Sequence, residues 1–443
     1  MDDLRIGVIG CGYLGATHAA CMADLGFDVL GVDVDATKVD ALNDSVLPFY
    51  EPGLEALVRK GRETGRLRFT TSYDEVARFA DVHFVCVATP QRQGELAADL
   101  SRVDAVVEQL GPLLDREVLV VGKSTVPVGT ADGMRDRLRE LAPAGALVHV
   151  AWNPEFLREG FAIEDTLRPD RLVLGLDGGR DEVAETMLRR VYATALDEGT
   201  PWVVADFPTA ELVKVSANAF LATKISFINA MAEVCEASGA DVTVLADALG
   251  HDSRIGRRYL NAGLGFGGGC LPKDIRAFMA RAGELGAGDA LTFLREVDAV
   301  NQRRRQRIVD LAAESVSRPW PGAKVAVLGA AFKPDSDDIR DSPALNVAGR
   351  LHLQGAHVAV YDPRAMGNAA RSWPTLTYAD SAQAACVGAH VVLLLTEWPE
   401  LLALDPRALK ERVAVPAVVD ARNALDAQAW RDAGWLYRAP GRR

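Results

Sequence analysis

Apolar runs recur along the first 205 residues, separated by stretches with helical periodicity. "LRIGVIG" (4–10), "DVLGVD" (28–33), "VHFVCVAT" (82–89), "VLVVGKS" (118–124) and "LVHVAWN" (147–153) are nearly continuous in apolar residues, as are strands covered on both faces of a parallel sheet. Two shorter β runs follow, "RLVLGL" (171–176) and "PWVVAD" (201–206). The alternation predicts an open, doubly wound α/β domain over 1–205. From 206 to about 300 the β runs stop, and "TAELVKVSANAFLATKISFINAMAEVCEASGAD" (209–241) keeps one helical pattern throughout. That is far longer than an ordinary helix. Such a helix bridges domains or pairs with its copy in a second subunit.

From about 320 the α/β pattern returns and mirrors the first half. "AKVAVLGAAF" (323–332) matches "LRIGVIGCGY", "GAHVAVYDP" (355–363) matches "GFDVLGVDVD" (26–35), and "GAHVVLLLTE" (388–397) matches "FADVHFVCVAT" (79–89). The predicted architecture is α/β, with two Rossmann-like doubly wound domains at 1–205 and 306–443. A long central helix and a helical middle domain at 206–305 join them. Two nucleotide-sized domains suit two different nucleotide-bearing molecules.

Composition narrows the class. The chain has 443 residues, 49% hydrophobic and 25% charged, with a formal net charge of −12, an ordinary globular balance. The acidic balance argues against nucleic acid as a partner. No apolar run is long enough for a membrane span, and six scattered cysteines without a CxxC fit a reduced, cytosolic setting with no metal site and no disulfide framework. The charge run "NQRRRQR" (301–307) reads as a solvated helix face.

"GVIGCGYLG" sets Gly10-x-Gly12-x-x-Gly15 directly after a predicted strand. In this motif the first glycine makes the tight turn and the second admits a pyrophosphate; the third lets helix and strand pack closely. Asp33 ends the next strand, where a carboxylate accepts from a ribose 2′-OH and repels a 2′-phosphate, so NAD is preferred over NADP. The second α/β domain has lost two of the glycines in "VLGAAF" and makes a poor dinucleotide cradle. It is still able to hold a nucleotide at its strand ends, where "FKPDSDDIRDSP" (332–343) supplies Lys333 and Arg340 either as solvated charges or as phosphate ligands.

Lys214 and Asn218 stand four apart, on one face of the long helix. Lysine there either snorkels or, with the amide, stabilises an oxyanion. Glu155 in "NPEFLREG" (153–160) follows a strand; it caps a turn or faces a ligand. "GKSTVPVGT" (122–130) likewise follows a strand with hydroxyls and a turn proline. In "GLGFGGGCLPKD" (263–274) five glycines lead up to Cys270. Pro272 suits a first helical turn, which puts Cys270 at a helix N-terminus beside Lys273, a setting that favours thiolate. The glycines would clear space beside the thiol. The other five cysteines sit where cysteine behaves as a small apolar residue. An NAD site with a nucleophilic cysteine points to oxidation of an alcohol through the aldehyde to an acid, by thiohemiacetal and thioester.

At this point the motifs match a family. "GVIGCGYLG", "GKSTVPVGT", "NPEFLREGFAIEDTLRPDRLVLG", "ELVKVSANAFLATKISFIN", "GFGGGCLPKD" and "AFKPDSDDIRDSP" occur in its order and spacing, and the sequence resembles the UDP-glucose/GDP-mannose dehydrogenase family over essentially its whole length. The resemblance implies oxidation of the C6 hydroxyl of UDP-glucose to the acid with two NAD+, and a homodimer built on the long helix. It implies Cys270 as nucleophile, Lys214 and Asn218 at the oxyanion, Asp274 holding water, Glu155 assisting hydrolysis, and Thr125 beside the reacting centre. For NAD it implies Gly10, Gly12, Tyr13, Leu14, Gly15, Asp33, Lys38, Thr89, Pro90, Ser124, Thr125, Lys273 and Arg340. For the sugar nucleotide it implies Glu155, Phe156, Leu157, Arg158, Glu159, Lys214, Asn218, Arg254, Tyr259, Leu260, Asn261, Gly263, Gly267, Phe332 and Lys333. Two departures stand out: Gly269 replaces the usual small hydroxyl residue before the cysteine, and the proline often found before Thr89-Pro90 is absent. The competing readings are GDP-mannose or a UDP-N-acetylhexosamine as substrate, and a non-catalytic NAD-binding sensor or scaffold.

Overall fold

The computed structural model of the chain describes residues 4–442. It forms two compact units, one from the residues up to Ala217 with Arg276–Gly286, the other from Asn218–Ile275 with Ala287 onward. Among the described residues no helix is long and apolar enough to cross a membrane.

The sheet of the first unit holds β1 (Arg5–Ile9), β2 (Asp28–Val32), β3 (Leu67–Thr70), β4 (Val82–Val85), β5 (Val118–Gly122), β6 (Val148–Trp152), β7 (Leu172–Leu176) and β8 (Trp202–Asp206). Their order is β3-β2-β1-β4-β5-β6-β7-β8, parallel except where β6 meets β7. Side chains alternate between two cores, as a period of two requires. Val118 and Val120 join one apolar cluster, while Leu119 and Val121 join the other. The order reverses between β1 and β4, and the crevice beyond such strand ends is where open α/β sheets take ligands. No apolar run announces β3, because Arg68 is exposed between buried Leu67 and Phe69. Conversely, the apolar "PWVVAD" is an edge strand, with Val203 and Val204 exposed.

The second unit takes the long helix Phe207–Ser238 from Asn218 onward. Its sheet comprises β9 (Lys324–Leu328), β10 (His357–Tyr361), β11 (Thr377–Tyr378), β12 (Val391–Leu394), β13 (Ala417–Asp420) and β14 (Leu436–Arg438). The order β11-β10-β9-β12-β13-β14, all parallel, repeats the first six strands of the other sheet. At the end of β10, where a dinucleotide fold presents its ribose carboxylate, Asp362 is buried. It accepts from the Ala330 and Ala331 amides at 2.7 and 2.9 Å, from Trp398 Nε1 at 3.1 Å, and from the Arg364 and Ala365 amides at 2.9 and 2.8 Å. With its acceptors spent on the turn that replaces the glycine cradle, this carboxylate has a structural job.

The charge run departs from expectation. "NQRRRQR" lies in the helix Phe293–Ser315, but Asn301, Arg304 and Arg305 are buried rather than solvated. Their spacing is the reason: with Val297 and Ile308, also buried, they fall at i, i+3, i+4 steps and occupy the stripe a helix turns toward its core. Arg305 pairs with Asp341 at 2.8 Å, and Arg304 stands 3.6 and 3.7 Å from Glu233 and Glu236.

Candidate active site

β1 runs into the helix Tyr13–Asp24 through Gly10, whose φ is +91°. A Cβ at Gly15 would lie 1.9 Å from the Gly10 carbonyl oxygen, so helix and turn meet only because that position has no side chain. A Cβ at Gly12 would meet nothing within 4 Å. No side chain caps the helix at Gly12, and no acidic residue lies in its first turn. Open space over uncapped amides fits a pyrophosphate. Leu14 packs against the core beneath. At the end of β2 the Asp33 carboxylate accepts the Cys11 amide at 2.9 Å and Lys38 Nζ at 2.8 Å. Beyond β4 and β5, Thr89 Oγ1 donates to the Thr125 carbonyl at 2.7 Å and Ser124 Oγ to the Val87 carbonyl at 2.6 Å. The two loops that hold Thr89-Pro90 and Ser124-Thr125 are therefore stitched together.

The loop after β6 brings Glu155 to Lys214. Lys214 is buried, with Nζ 3.1 Å from Glu155 Oε1 and 5.4 Å from the Phe156 ring centroid. Its head group is not snorkelling to water. Glu155 also accepts the Leu157 amide at 2.8 Å, a turn rather than a helix cap. Arg158 is drawn to Asp165 through its amide, Nε and Nη2 at 2.8, 2.8 and 2.6 Å. Two buried carboxylates to which no motif assigns a role, Glu51 and Glu211, hold this region. Glu51 accepts from the Tyr13 hydroxyl, from the Gly160 amide at 2.6 Å and from the Ala162 amide at 2.8 Å. Glu211, one turn before Lys214, accepts the Gly129 and Ala131 amides, both at 2.7 Å. Within "FYEPG" (49–53) the glutamate looks like a solvated turn residue, and no local signal marks it.

In the second unit the helix Leu271–Glu284 begins immediately after Cys270. Cys270 is exposed and the other five cysteines are buried; burial pushes the thiols of Cys21, Cys86 and Cys386 up to about 12. Asp274, buried one turn into the helix, accepts Asn218 Nδ2 and Lys273 Nζ, both at 2.6 Å. Lys273 is thus engaged with its neighbouring carboxylate. The glycines before Cys270 do not clear space for a ligand. A Cβ at Gly263, Gly265, Gly267, Gly268 or Gly269 would come within 2.6, 2.4, 2.4, 2.9 or 2.3 Å of Ala421, Asn301, Asp341, Phe332 or Arg340 respectively. They let the loop lie flush against its own unit. At Gly269 the nearest atoms belong to the Arg340 guanidinium, the end of a flexible and exposed side chain, so this contact does not by itself require glycine. Lys333 lies with Nζ 5.7 Å from the Phe332 ring centroid. Segment 254–261 is largely exposed: Arg254 turns to solvent and grips Asp252, Tyr259 has φ +67°, Asn261 accepts Arg257 Nη1 at 2.7 Å, and only Leu260 is buried.

Three family models match the chain. They are the NAD binding domain of the UDP-glucose/GDP-mannose dehydrogenase family over residues 4–196, its central domain over 208–303, and its UDP binding domain over 326–427. The chain is 42% identical to the UDP-glucose 6-dehydrogenase of Rhizobium meliloti (strain 1021), covering 99% of this chain and 100% of that protein. Against UDP-glucose 6-dehydrogenase TuaD of Bacillus subtilis (strain 168) the identity is 38%, over 99% and 93%. Among solved structures, a UDP-glucose dehydrogenase from the hyperthermophilic archaeon Pyrobaculum islandicum superposes with a TM-score of 0.90 at 38% identity, covering 100% of this chain and 98% of the other. A UDP-D-ManNAc dehydrogenase from Pyrococcus horikoshii superposes at 0.85 with 25% identity, covering 99% of each chain.

Proposed function

The chain belongs to the UDP-glucose/GDP-mannose dehydrogenase family, and from that premise we propose that it oxidises UDP-glucose to UDP-glucuronate with two NAD+. One observation carries the reading. Cys270, Lys214, Asn218, Asp274 and Glu155 all stand in a chain that is 42% identical, end to end, to a UDP-glucose 6-dehydrogenase. The NAD domain is 1–205, the helical middle domain is 206–305, and 306–443 takes the UDP moiety with Phe332 and Lys333.

The chemistry asks the following of these side chains. NAD+, which Gly10, Gly12, Gly15 and Asp33 would hold, would supply the hydride acceptor for each of the two oxidations at C6. Lys214 and Asn218 stabilise the negative charge on the C6 oxygen as the alcohol becomes an aldehyde and then a thiohemiacetal. The Cys270 thiolate attacks the aldehyde carbon, and loss of the second hydride leaves a thioester. Asp274 orients a water and Glu155 takes its proton as it attacks; the C–S bond breaks, the acid leaves and the thiolate returns. One water is consumed, and two NADH and three protons are released per sugar, one proton from the C6 hydroxyl and two from the water. The Lys214–Glu155 and Asn218–Asp274 pairs support these roles, because each puts an oxyanion donor in contact with a carboxylate of the hydrolytic half. Two copies pair through the long helix.

NADH formation with UDP-glucose, GDP-mannose and UDP-N-acetylmannosamine tests the substrate. UDP-glucose is expected to yield two NADH per molecule; no turnover with it sinks this choice, and no NADH with any of the three favours a non-catalytic NAD-binding protein. Cys270→Ala is expected to make no acid.

A further inference from the structure

The buried part of the charge run reaches the cysteine loop. Asn301 Oδ1 accepts the Phe266 amide at 2.8 Å and Asn301 Nδ2 donates to the Phe266 carbonyl at 3.0 Å, so one side chain satisfies both backbone groups of one loop residue. Arg304 Nε donates to the Gly263 carbonyl at 3.3 Å. Residues 261–269 belong to no helix or strand, so their buried backbone groups depend on such outside partners. The other face of the loop is pinned as well. Arg422 Nη1 donates to the Gly265 carbonyl at 3.2 Å, and the Leu264 and Gly268 amides donate to the Ala421 and Arg340 carbonyls, both at 2.9 Å. The Asn301 and Arg304 side chains are fully buried, and the Arg304 Nη atoms reach Glu233 and Glu236 only at 3.6 and 3.7 Å. Burying an arginine at such pairing distances is a poor way to gain stability.

We propose that Asn301 and Arg304 are positioning residues for Cys270: they fix the backbone of 263–266 and so set the thiol at the start of the helix Leu271–Glu284. The inference rests on the reading of Cys270 as the nucleophile. Gly265 belongs to the same device, since its φ is +95° and a Cβ there would sit 2.4 Å from Asn301 Oδ1. The loop tolerates the clamp only because it has no side chain at that point. The helix N-terminus favours the thiolate over a short range, so a loop that relaxes by about 1 Å loses both aim and activation.

The test is Asn301→Ala in the full chain, with thermal unfolding recorded to establish that the variant is folded. Cys270 is the exposed cysteine, so its alkylation by iodoacetamide is read by peptide mass as a function of pH without any need for turnover. The expected result is a kcat lower by about tenfold or more, a KM for NAD+ within about twofold of the parent because the glycine cradle is untouched, and an alkylation midpoint moved to higher pH. Asn301→Asp keeps the acceptor for the Phe266 amide and should fall between the two. A folded Asn301→Ala with unchanged kcat and an unchanged alkylation profile overturns the proposal. If that variant does not fold, the same two readouts on Asn301→Asp decide, with no change overturning it. Acid formation by Cys270→Ala would instead overturn the nucleophile reading, whatever the Asn301 variants do.

Discussion

Among single side chains, Glu51 serves three donors with one carboxylate. The Tyr13 hydroxyl comes from the first residue of the helix after the glycine turn, which the family resemblance assigns to NAD, while the Gly160 amide belongs to the loop that holds Glu155 and the Ala162 amide to the helix that follows it. Burial first, and the Glu51 carboxylate second, push the Tyr13 hydroxyl far above the ordinary range for tyrosine, so it remains a donor. Removing the acceptor strands one buried donor, the Ala162 amide, at about 1–3 kcal/mol, and two part-buried ones at less. Glu51→Ala is therefore expected to raise KM for NAD+ by about tenfold or more and to lower kcat, with Glu51→Gln losing less. Steady-state kinetics at saturating sugar nucleotide check this, and an unchanged KM for NAD+ in Glu51→Ala would show that the tie is not used.

Between elements, Glu211 joins the start of the long helix to the N-terminus of the helix Thr130–Leu141, whose own cap residue, Gly129, has no side chain to offer. The tie links the helix that carries Lys214 to the segment that follows Thr125. Burial pushes the Glu211 carboxyl up to about 7 although the Gly129 and Ala131 amides pull it down. A carboxyl with a folded-state pKa above its ordinary 4.5 binds a proton that the unfolded chain has released. Its contribution is thus full at acid pH and is lost as pH rises from about 4.5 to about 7, a change of about 3 kcal/mol. The unfolding temperature should fall over that window in the parent and fall less in Glu211→Gln; equal slopes would remove Glu211 as the cause.

For the whole molecule the open element is the face of the long helix. Phe220, Phe227 and Val234 are 66%, 48% and 56% exposed and stand seven residues apart, so they form one apolar stripe. Such a stripe in water calls for a partner, and the proposed occupant is the same helix of a second copy. Phe227→Glu is expected to halve the mass seen by sedimentation equilibrium. A monomeric parent, or an unchanged dimer in the variant, would refute this placement.

Whatever depends on neighbours along the chain is legible in the order of the amino acids. Most strands and helices follow from period, the turn at Gly10 from its backbone freedom, the long helix from an unbroken pattern, and the exposure of Cys270 from the residues beside it. Tertiary structure alone decided which polar groups are buried and for what purpose. Glu51 meets Gly160 across 109 positions, Glu211 meets Gly129 across 82, and Asn301 meets Phe266 across 35. In each case the local sequence looks like a solvated turn or a charged helix face. The glycines before Cys270 are opaque to local pattern for the same reason, since only the packed neighbours show that the missing side chains admit protein. Local period fixes the elements; the cost of burying a polar group without a partner fixes how they meet.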